Sequence, residues 1–411
     1  MAESRWADHD RFKKEYGFPS GRREIATKDL EEKYVKIRPL GVGVGGLNEG
    51  IHLVQNKENG RKYVQKEIDA GSPQLLRELL LLQALDHPNI IRYVDAFIDK
   101  SQWHHHRASV YLEYCSFKSA QDLLDKYHKH NQNRPESHHA YIPEHFIWHI
   151  FRSLASALQY LHFGIRPDDK RSPEELDPLV KAPQYCQKVW PIILHRDIKP
   201  DNIFFRKCQP RSGFTIEPWK LLRIFPRQRK VPRIVPQPPK VFLADFGLAL
   251  TYNDPDWNVD RSYIGTLNWM PPELPEAFVH SDVWAVGAII LALCRQMPEG
   301  VVKPPPVDWT AGSEAWSKHP DARKGIRDHG VGKHYSPELN NVVHECLRFN
   351  RRNRPLAFKL LAMINEGEKE AGKKGFLHKD EFFPDWLWGG AEDRLHGRRR
   401  RRKKEPDKVT E

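Results

Sequence analysis

Hydrophobic spacing changes period part-way along this 411-residue chain, and that change restricts the possible folds more than any other feature. Between residues 34 and 68, Val35 and Ile37 alternate with charged neighbours, a glycine-rich stretch follows, and Ile51-His52-Leu53 alternates again. Asn59-Gly60 then turns the chain into residues 63–68. Period-two alternation belongs to half-buried strands, and Asn-Gly between two such runs favours a tight hairpin. A three-stranded antiparallel meander is expected there. Residues 74–85 are helix formers bounded by Ser72-Pro73 and His87-Pro88, and two more short strand patterns follow near 90–97 and 109–114.

After Glu113 the period becomes mostly helical. Residues 146–161 place Ile147, Ile150, Phe151, Leu154, Leu158 and Leu161 on one face, whereas 282–294 are apolar nearly all round and are expected in the core. Strands gathered first and helices second imply an α+β chain: a small antiparallel sheet lobe followed by a larger helical lobe, a bilobal fold. With 39% hydrophobic and 29% charged residues the composition excludes a wholly disordered chain. Five cysteines without a C-x-x-C pair indicate neither a disulfide framework nor a zinc knuckle, and so a reducing compartment. The polar start MAESRWADHD has no apolar signal core, and the longest apolar run, 283–294, is too short to cross a bilayer. An intracellular protein of cytoplasm or nucleus, without membrane attachment, is expected.

Net charge is +12, which raises nucleic acid, membrane surfaces and acidic partners as candidates. Its distribution narrows them. Residues 206–240 hold ten basic side chains against Glu217 alone, with seven prolines, for a net +9, and the run 398–404 contributes +7. Removing both leaves −4 for the remainder, so nucleic acid is not expected as the substrate. The two basic segments read either as solvated loop and tail or as docking sites for an acidic partner or, for 398–404, an import receptor. The histidines at 104–106 and 138–139 lack neighbouring ligands at metal spacing and read as surface residues.

Gly41, Gly43 and Gly46 form a G-x-G-x-x-G pattern, which alone fits several phosphate-binding turns or a plain flexible loop. Because Ile51 opens a strand pattern and not a helix, the glycines belong at a hairpin tip whose backbone N–H groups can close over phosphates. Farther on, His195-Arg196-Asp197-Ile198-Lys199-Pro200-Asp201-Asn202 precedes Asp245-Phe246-Gly247 by 43 residues. With these motifs in order, the chain resembles the eukaryotic protein kinases over roughly 34–365, and its LDHPNII and SDVW stretches are similar to those of the NIMA-related kinases.

The resemblance implies a protein serine/threonine kinase that uses ATP and Mg²⁺ on protein substrates. Asp197 is then the base, Lys199 neutralises the moving phosphate, and Asn202 and Asp245 bind the metal. Lys66 holds the nucleotide phosphates, paired with Glu78, and the ATP site adds Gly41, Gly43, Gly46, Ile51 and the backbone of Glu113 and Cys115, with Leu112 as gatekeeper. Between Asp245 and Glu273, the activation loop carries Thr251, Ser262, Tyr263 and Thr266. Glu273 is expected to pair with Arg354, and Asp282 to anchor the catalytic loop backbone. Lys199 with Gly265-Thr266 is the serine/threonine pattern. The implied domains are an extension 1–33, a kinase domain 34–365 (lobes 34–113 and 114–365, insertions 164–190 and 206–240) and a tail 366–411, whose aromatic-rich part 376–388 is a candidate to pack on the helical lobe.

The glycine loop departs from the family: Leu47-Asn48-Glu49-Gly50 intervenes before Ile51, and no aromatic residue caps its tip. Two other classes therefore stay open, a pseudokinase scaffold without phosphoryl transfer and a nucleic-acid-binding module acting through the basic segments.

Overall fold

Residues 34–69 form three antiparallel strands, β1 (Tyr34–Pro39), β2 (Ile51–Asn56) and β3 (Lys62–Asp69), joined at Asn59-Gly60 by the turn the alternation implied. The structure, a computed structural model, describes residues 33–40, 50–69, 73–98, 107–181, 190–207, 238–252, 254, 264–273, 276–300, 330–377 and 387. The three glycines at 41, 43 and 46 lie outside them. Helix α1 (Pro73–Ala84) starts with proline at its first position, where the missing N–H would have no helical partner anyway. It buries Leu79, Leu81 and Leu82. Strands β4 (Tyr93–Ile98) and β5 (Arg107–Glu113) complete a five-stranded sheet in the order β1-β2-β3-β5-β4. Lys66 stands opposite Ile51 on one side and Val110 on the other, so β3 is central and its side chains are held in register from both flanks.

The helical lobe begins at α2 (Ala120–Asn131), whose start is closed by a reciprocal Ser119–Asp122 capping box. Helix α3 (Glu144–Phe163) follows, then α4 (Pro173–Lys181), the short strands β6 (Ile193–Leu194), β7 (Ile203–Arg206), β8 (Lys240–Leu243) and β9 (Leu250–Thr251), and helices α5 (Val279–Arg295), α6 (Pro337–Cys346) and α7 (Ala357–Lys373). In α5 every residue from 281 to 294 is buried, as an all-round apolar sequence requires. It lies among α3 and α6, and the approach is close: a Cβ on Gly287 would come within 2.4 Å of Cys346 Cβ. Glu144, buried in the first turn of α3, accepts from Trp148 Nε1 at 2.9 Å and from the Ser336 backbone N–H at 2.8 Å, so a lone carboxylate ties α3 to the start of α6.

Two stretches outside the main helices also pack on the core. Residues 164–190, expected as a surface insertion, contain α4, which buries Leu176 and pairs Asp177 with Lys359 of α7 at 2.6 Å. The polar and proline-containing composition gives no helical period to read there. Past α7, Phe376 and Leu377 pack half-buried on the core, and Leu387 is fully buried with its carbonyl accepting from Lys126 Nζ of α2. The basic insertion leaves from the end of the β7–β8 ladder, whose outermost pair is Arg206 and Lys240; residues 208–237 and the run 398–404 lie outside the described residues. Among the described residues no helix is long and apolar enough to cross a membrane. Cys115, Cys294 and Cys346 are buried thiols, and burial pushes Cys115 up to about 12.

Candidate active site

The loop between β6 and β7 carries residues 195–202, and its shape is set by one buried carboxylate. Asp282, in the first turn of α5, accepts the backbone N–H of His195 at 3.0 Å and of Arg196 at 3.1 Å, and His162 Nε2 donates to it at 2.9 Å. Burial alone would raise its pKa; the His162 and His195 contacts hold it below the usual carboxylate range. Arg196 takes a positive φ of 65°, a conformation an L residue adopts only under such constraint. The buried His195 ring reaches the Ala244 carbonyl at 3.1 Å, and Arg196 Nε donates to the Leu248 carbonyl at 2.8 Å. The loop is thereby stitched to the segment around Asp245.

Asp197 emerges from this loop nearly buried. Its Oδ1 accepts from Thr266 Oγ1 at 2.8 Å, while Oδ2 lies 3.0 Å from Lys199 Nζ and accepts from Asn202 Nδ2 at 3.2 Å. Lys199 Nζ also donates to Thr266 Oγ1 at 3.0 Å. A carboxylate offers about four acceptor positions, so three donors leave room on Oδ1 for one more hydroxyl. Asn202 spends its amide N–H groups on the carbonyl and carboxylate of Asp197, which leaves its amide oxygen as the atom able to bind a cation.

Ala244 N–H donates to the Asn202 main-chain carbonyl at 2.9 Å, which ties the segment entering Asp245 to this loop. Asp245 also has a positive φ, 65°. Its carboxylate is about half exposed and lies 3.2 Å from Lys66 Nζ, which donates to Glu78 Oε1 of α1 at 2.7 Å. Burial works against the Lys66 ammonium, yet the two carboxylates hold its pKa above the ordinary lysine value. Asp245 in turn is held low against burial by the Lys66 charge, whereas Glu78, deeper and 2% exposed, is raised by burial and only partly compensated by Lys66. The charged form of Lys66 is the one this geometry supports.

Other expected site residues fall in several places. Ile51 is half-buried at the start of β2, opposite Lys66 of β3. Leu112 is half-buried against the core. The Glu113 backbone N–H is committed to the Arg92 carbonyl at 3.0 Å and its side chain pairs with Arg206, so only its carbonyl could face a ligand. Ser262 and Tyr263 lie outside the described residues. Thr251, within the expected activation loop, is fully buried in β9 opposite Ile193, so its hydroxyl lies in a strand interior. Gly265 has φ +117°, and a Cβ there would sit 2.6 Å from the Arg196 carbonyl, so the segment bearing Thr266 can approach the loop only at a glycine.

Glu273 and Arg354 form a buried two-point pair at 2.7 Å per contact. The remaining guanidinium N–H groups donate to the carbonyls of Arg348 (2.7 Å), His280 (3.0 Å) and Phe349 (3.1 Å), which satisfies all five donors. Ser281 Oγ adds a 2.7 Å bond to Glu273. Ser281 and His162 are supporting residues that sequence reading missed. His162 sits in an ordinary amphipathic helix 120 residues from Asp282, and no local pattern marks it. Ser281 was visible only as the neighbour of Asp282.

The protein kinase domain family model matches residues 34–164 and 176–363, skipping the stretch just before and into α4. Among curated relatives, the chain is 29% identical over 338 residues to the G2-specific protein kinase nimA of Emericella nidulans, covering 79% of this chain and 40% of that protein. It is 26% identical over 339 residues to the serine/threonine-protein kinase Nek2 of Homo sapiens (80% and 59%) and 25% identical over 347 residues to the G2-specific protein kinase fin1 of Schizosaccharomyces pombe (80% and 38%). The chain thus spans less than two thirds of the length of each of these relatives.

Proposed function

Since this chain belongs to the protein kinase domain family, we propose that it is a protein serine/threonine kinase, carrying the γ-phosphoryl group of ATP to serine or threonine hydroxyls of protein substrates. The observation that carries this reading is the convergence of two clusters: Asp197 with Lys199 and Thr266, and Asp245 with Lys66 and Glu78, joined through Asn202 and Ala244. The donor set suits Mg²⁺, a hard cation that takes one or two protein oxygens and fills its octahedron with phosphate and water. Asp245 and the amide oxygen of Asn202 are those oxygens. Among the described residues there is no group of three or more His, Cys, Asp or Glu side chains able to hold a metal, so the cation would arrive with the nucleotide phosphates.

When bound, MgATP supplies the phosphoryl group and neutralises much of its charge. Asp197 Oδ1 aims the substrate hydroxyl and accepts its proton, with Oδ2 steadied by Lys199 and Asn202. Lys199 places a positive charge beside that hydroxyl. Lys66, fixed by Glu78, binds the nucleotide phosphates, and the backbone of Glu113 and Cys115 offers hydrogen bonds to the adenine edge. Gly41, Gly43 and Gly46 would close over the phosphates from above. Thr266 bridges Asp197 and Lys199, which is consistent with a serine/threonine and not a tyrosine preference.

Labelled transfer from ATP to a generic basic protein tests the reading. Label is expected on serine and threonine in phosphoamino-acid analysis and is expected to fall to background when Mg²⁺ is chelated. Label confined to tyrosine, or transfer indifferent to chelation, would refute it. A second expectation concerns Arg196, whose charge next to Asp197 is suited to a phosphate on the segment before Gly265. Phosphorylation of Ser262 would supply it, so Ser262→Ala should lower turnover several-fold, and an undiminished rate removes the idea. The basic run 398–404 is proposed to bind an import receptor, which places the protein partly in the nucleus. Deleting that run should shift the protein towards the cytoplasm in fractionated cells, and an unchanged distribution would end the proposal.

A further inference from the structure

Arg77 stands directly before Glu78 on α1 and reaches a residue 177 positions away. Its Nη2 donates to Asp254 Oδ1 at 3.1 Å, and Nε pairs with Oδ2 of the same carboxylate. The Nη2 bond is directional and the Nε–Oδ2 contact is an ion pair on the same carboxylate, so the planar guanidinium is restricted in orientation as well as distance. The pair is withdrawn from solvent, with the Asp254 side chain 1% exposed and that of Arg77 13%. Asp254 is itself held, because its backbone N–H donates to the Thr251 carbonyl at 2.9 Å. Thr251 pairs with Ile193, and Leu250 with Leu194, the residue that leads into His195. One run of contacts therefore connects α1 to the strand pair that leads into the loop carrying Asp197.

Apolar packing does not by itself set the depth of α1. Leu79, Leu81 and Leu82 bury their side chains non-directionally, which permits small slides along the helix axis. Nor can Glu78 hold the helix alone, since its contact is a single oxygen on Lys66 and its Oε2, buried, has no hydrogen-bond partner. A directional buried contact one residue away supplies the missing constraint.

We propose that Arg77 and Asp254 are positioning residues that hold α1 at the depth where Glu78 meets Lys66, using a carboxylate built into the segment after Asp245. The proposal rests on the phosphotransferase reading above. Its consequence is that alignment of Lys66 depends on this ion pair in the chain as synthesised.

The test compares Arg77→Met, Asp254→Asn, their combination and the reciprocal Arg77→Asp/Asp254→Arg in the full chain. The measurements are kcat, the KM for protein substrate, MgATP affinity by calorimetry and the melting temperature. Each single variant should lose roughly 10- to 100-fold in kcat and bind MgATP about tenfold more weakly, with the protein-substrate KM within about twofold. The combination should lose no more than the worse single variant, because both remove one shared contact, and the reciprocal pair should recover part of kcat. A purely structural pair would lower melting temperature and leave kcat per folded molecule and MgATP affinity unchanged. Folded single variants that match the wild type within about twofold, or losses that add in the combination, overturn the proposal. If the wild type itself transfers no label, the kinase reading fails, and the pair is judged by MgATP affinity: unchanged affinity in the single variants then overturns it.

Discussion

Asp197→Asn is expected to lower kcat about 10³-fold, within the range attributed to a positioned general base, while MgATP affinity stays within about twofold because the proposed phosphate-binding group is Lys66 and not Asp197. The asparagine is nearly isosteric, so the loop geometry fixed by Asp282 through the His195 and Arg196 backbone should persist. What changes is chemical. The amide can still accept from Thr266 but presents N–H groups to Lys199 or Asn202, both of which now donate to the carboxylate, and it cannot take a proton from a hydroxyl. Labelled transfer by the two proteins at saturating ATP measures the difference. Equal label in both would eliminate Asp197 as the base and with it the proposed enzyme. The same comparison separates a kinase from a pseudokinase, since the latter binds nucleotide without being sensitive to this substitution in turnover.

Arg354→Ala is expected to destabilise the helical lobe by about 3–5 kcal/mol, the usual cost of removing one partner from a buried pair. On a domain of this size that corresponds to a melting temperature lower by on the order of 10 °C. Five hydrogen bonds vanish together, three carbonyls lose their donor, and Glu273 stays buried with Ser281 as its remaining partner. The guanidinium also lies 4.7 Å from the centre of the Trp284 ring, so α5 loses a packing neighbour as well. Arg354→Met combined with Glu273→Leu should recover part of the loss, because it leaves no orphaned charge. A single variant melting within about 1 °C of the wild type would show that the pair is worth far less than its burial implies.

Local patterns marked elements well where one face decides them. Alternation located β1, β2 and β3 to within a residue or two, and the all-round apolar stretch located the core of α5. It began three residues earlier than expected, at Val279, because the first turn is polar and carries no periodic signal. Helix α4 is not legible for a related reason: Leu176, Leu179 and Val180 among nine mostly polar residues give too weak a period to read. The burial of Thr251, expected in the activation loop, is not legible because spacing from Asp245 says nothing about which side of a strand a residue faces.

At the candidate site the division is sharper. The residues proposed to act on phosphate or hydroxyl lie in short contiguous motifs, because a tight loop must bring base, cation and metal ligand together within a few bonds; Asp197, Lys199, Asn202 and Asp245 are legible from the sequence for that reason. The residues that hold those motifs in place were not. His162 meets Asp282 across 120 positions and Arg77 meets Asp254 across 177, and such pairs are made by packing between elements, for which linear order carries no distance. The sequence by itself thus determined a two-lobed chain with the chemical groups of phosphoryl transfer. Only the tertiary structure decided which buried charges orient those groups, because the cost of burying a charge is met by whichever opposite charge the fold brings within hydrogen-bonding reach.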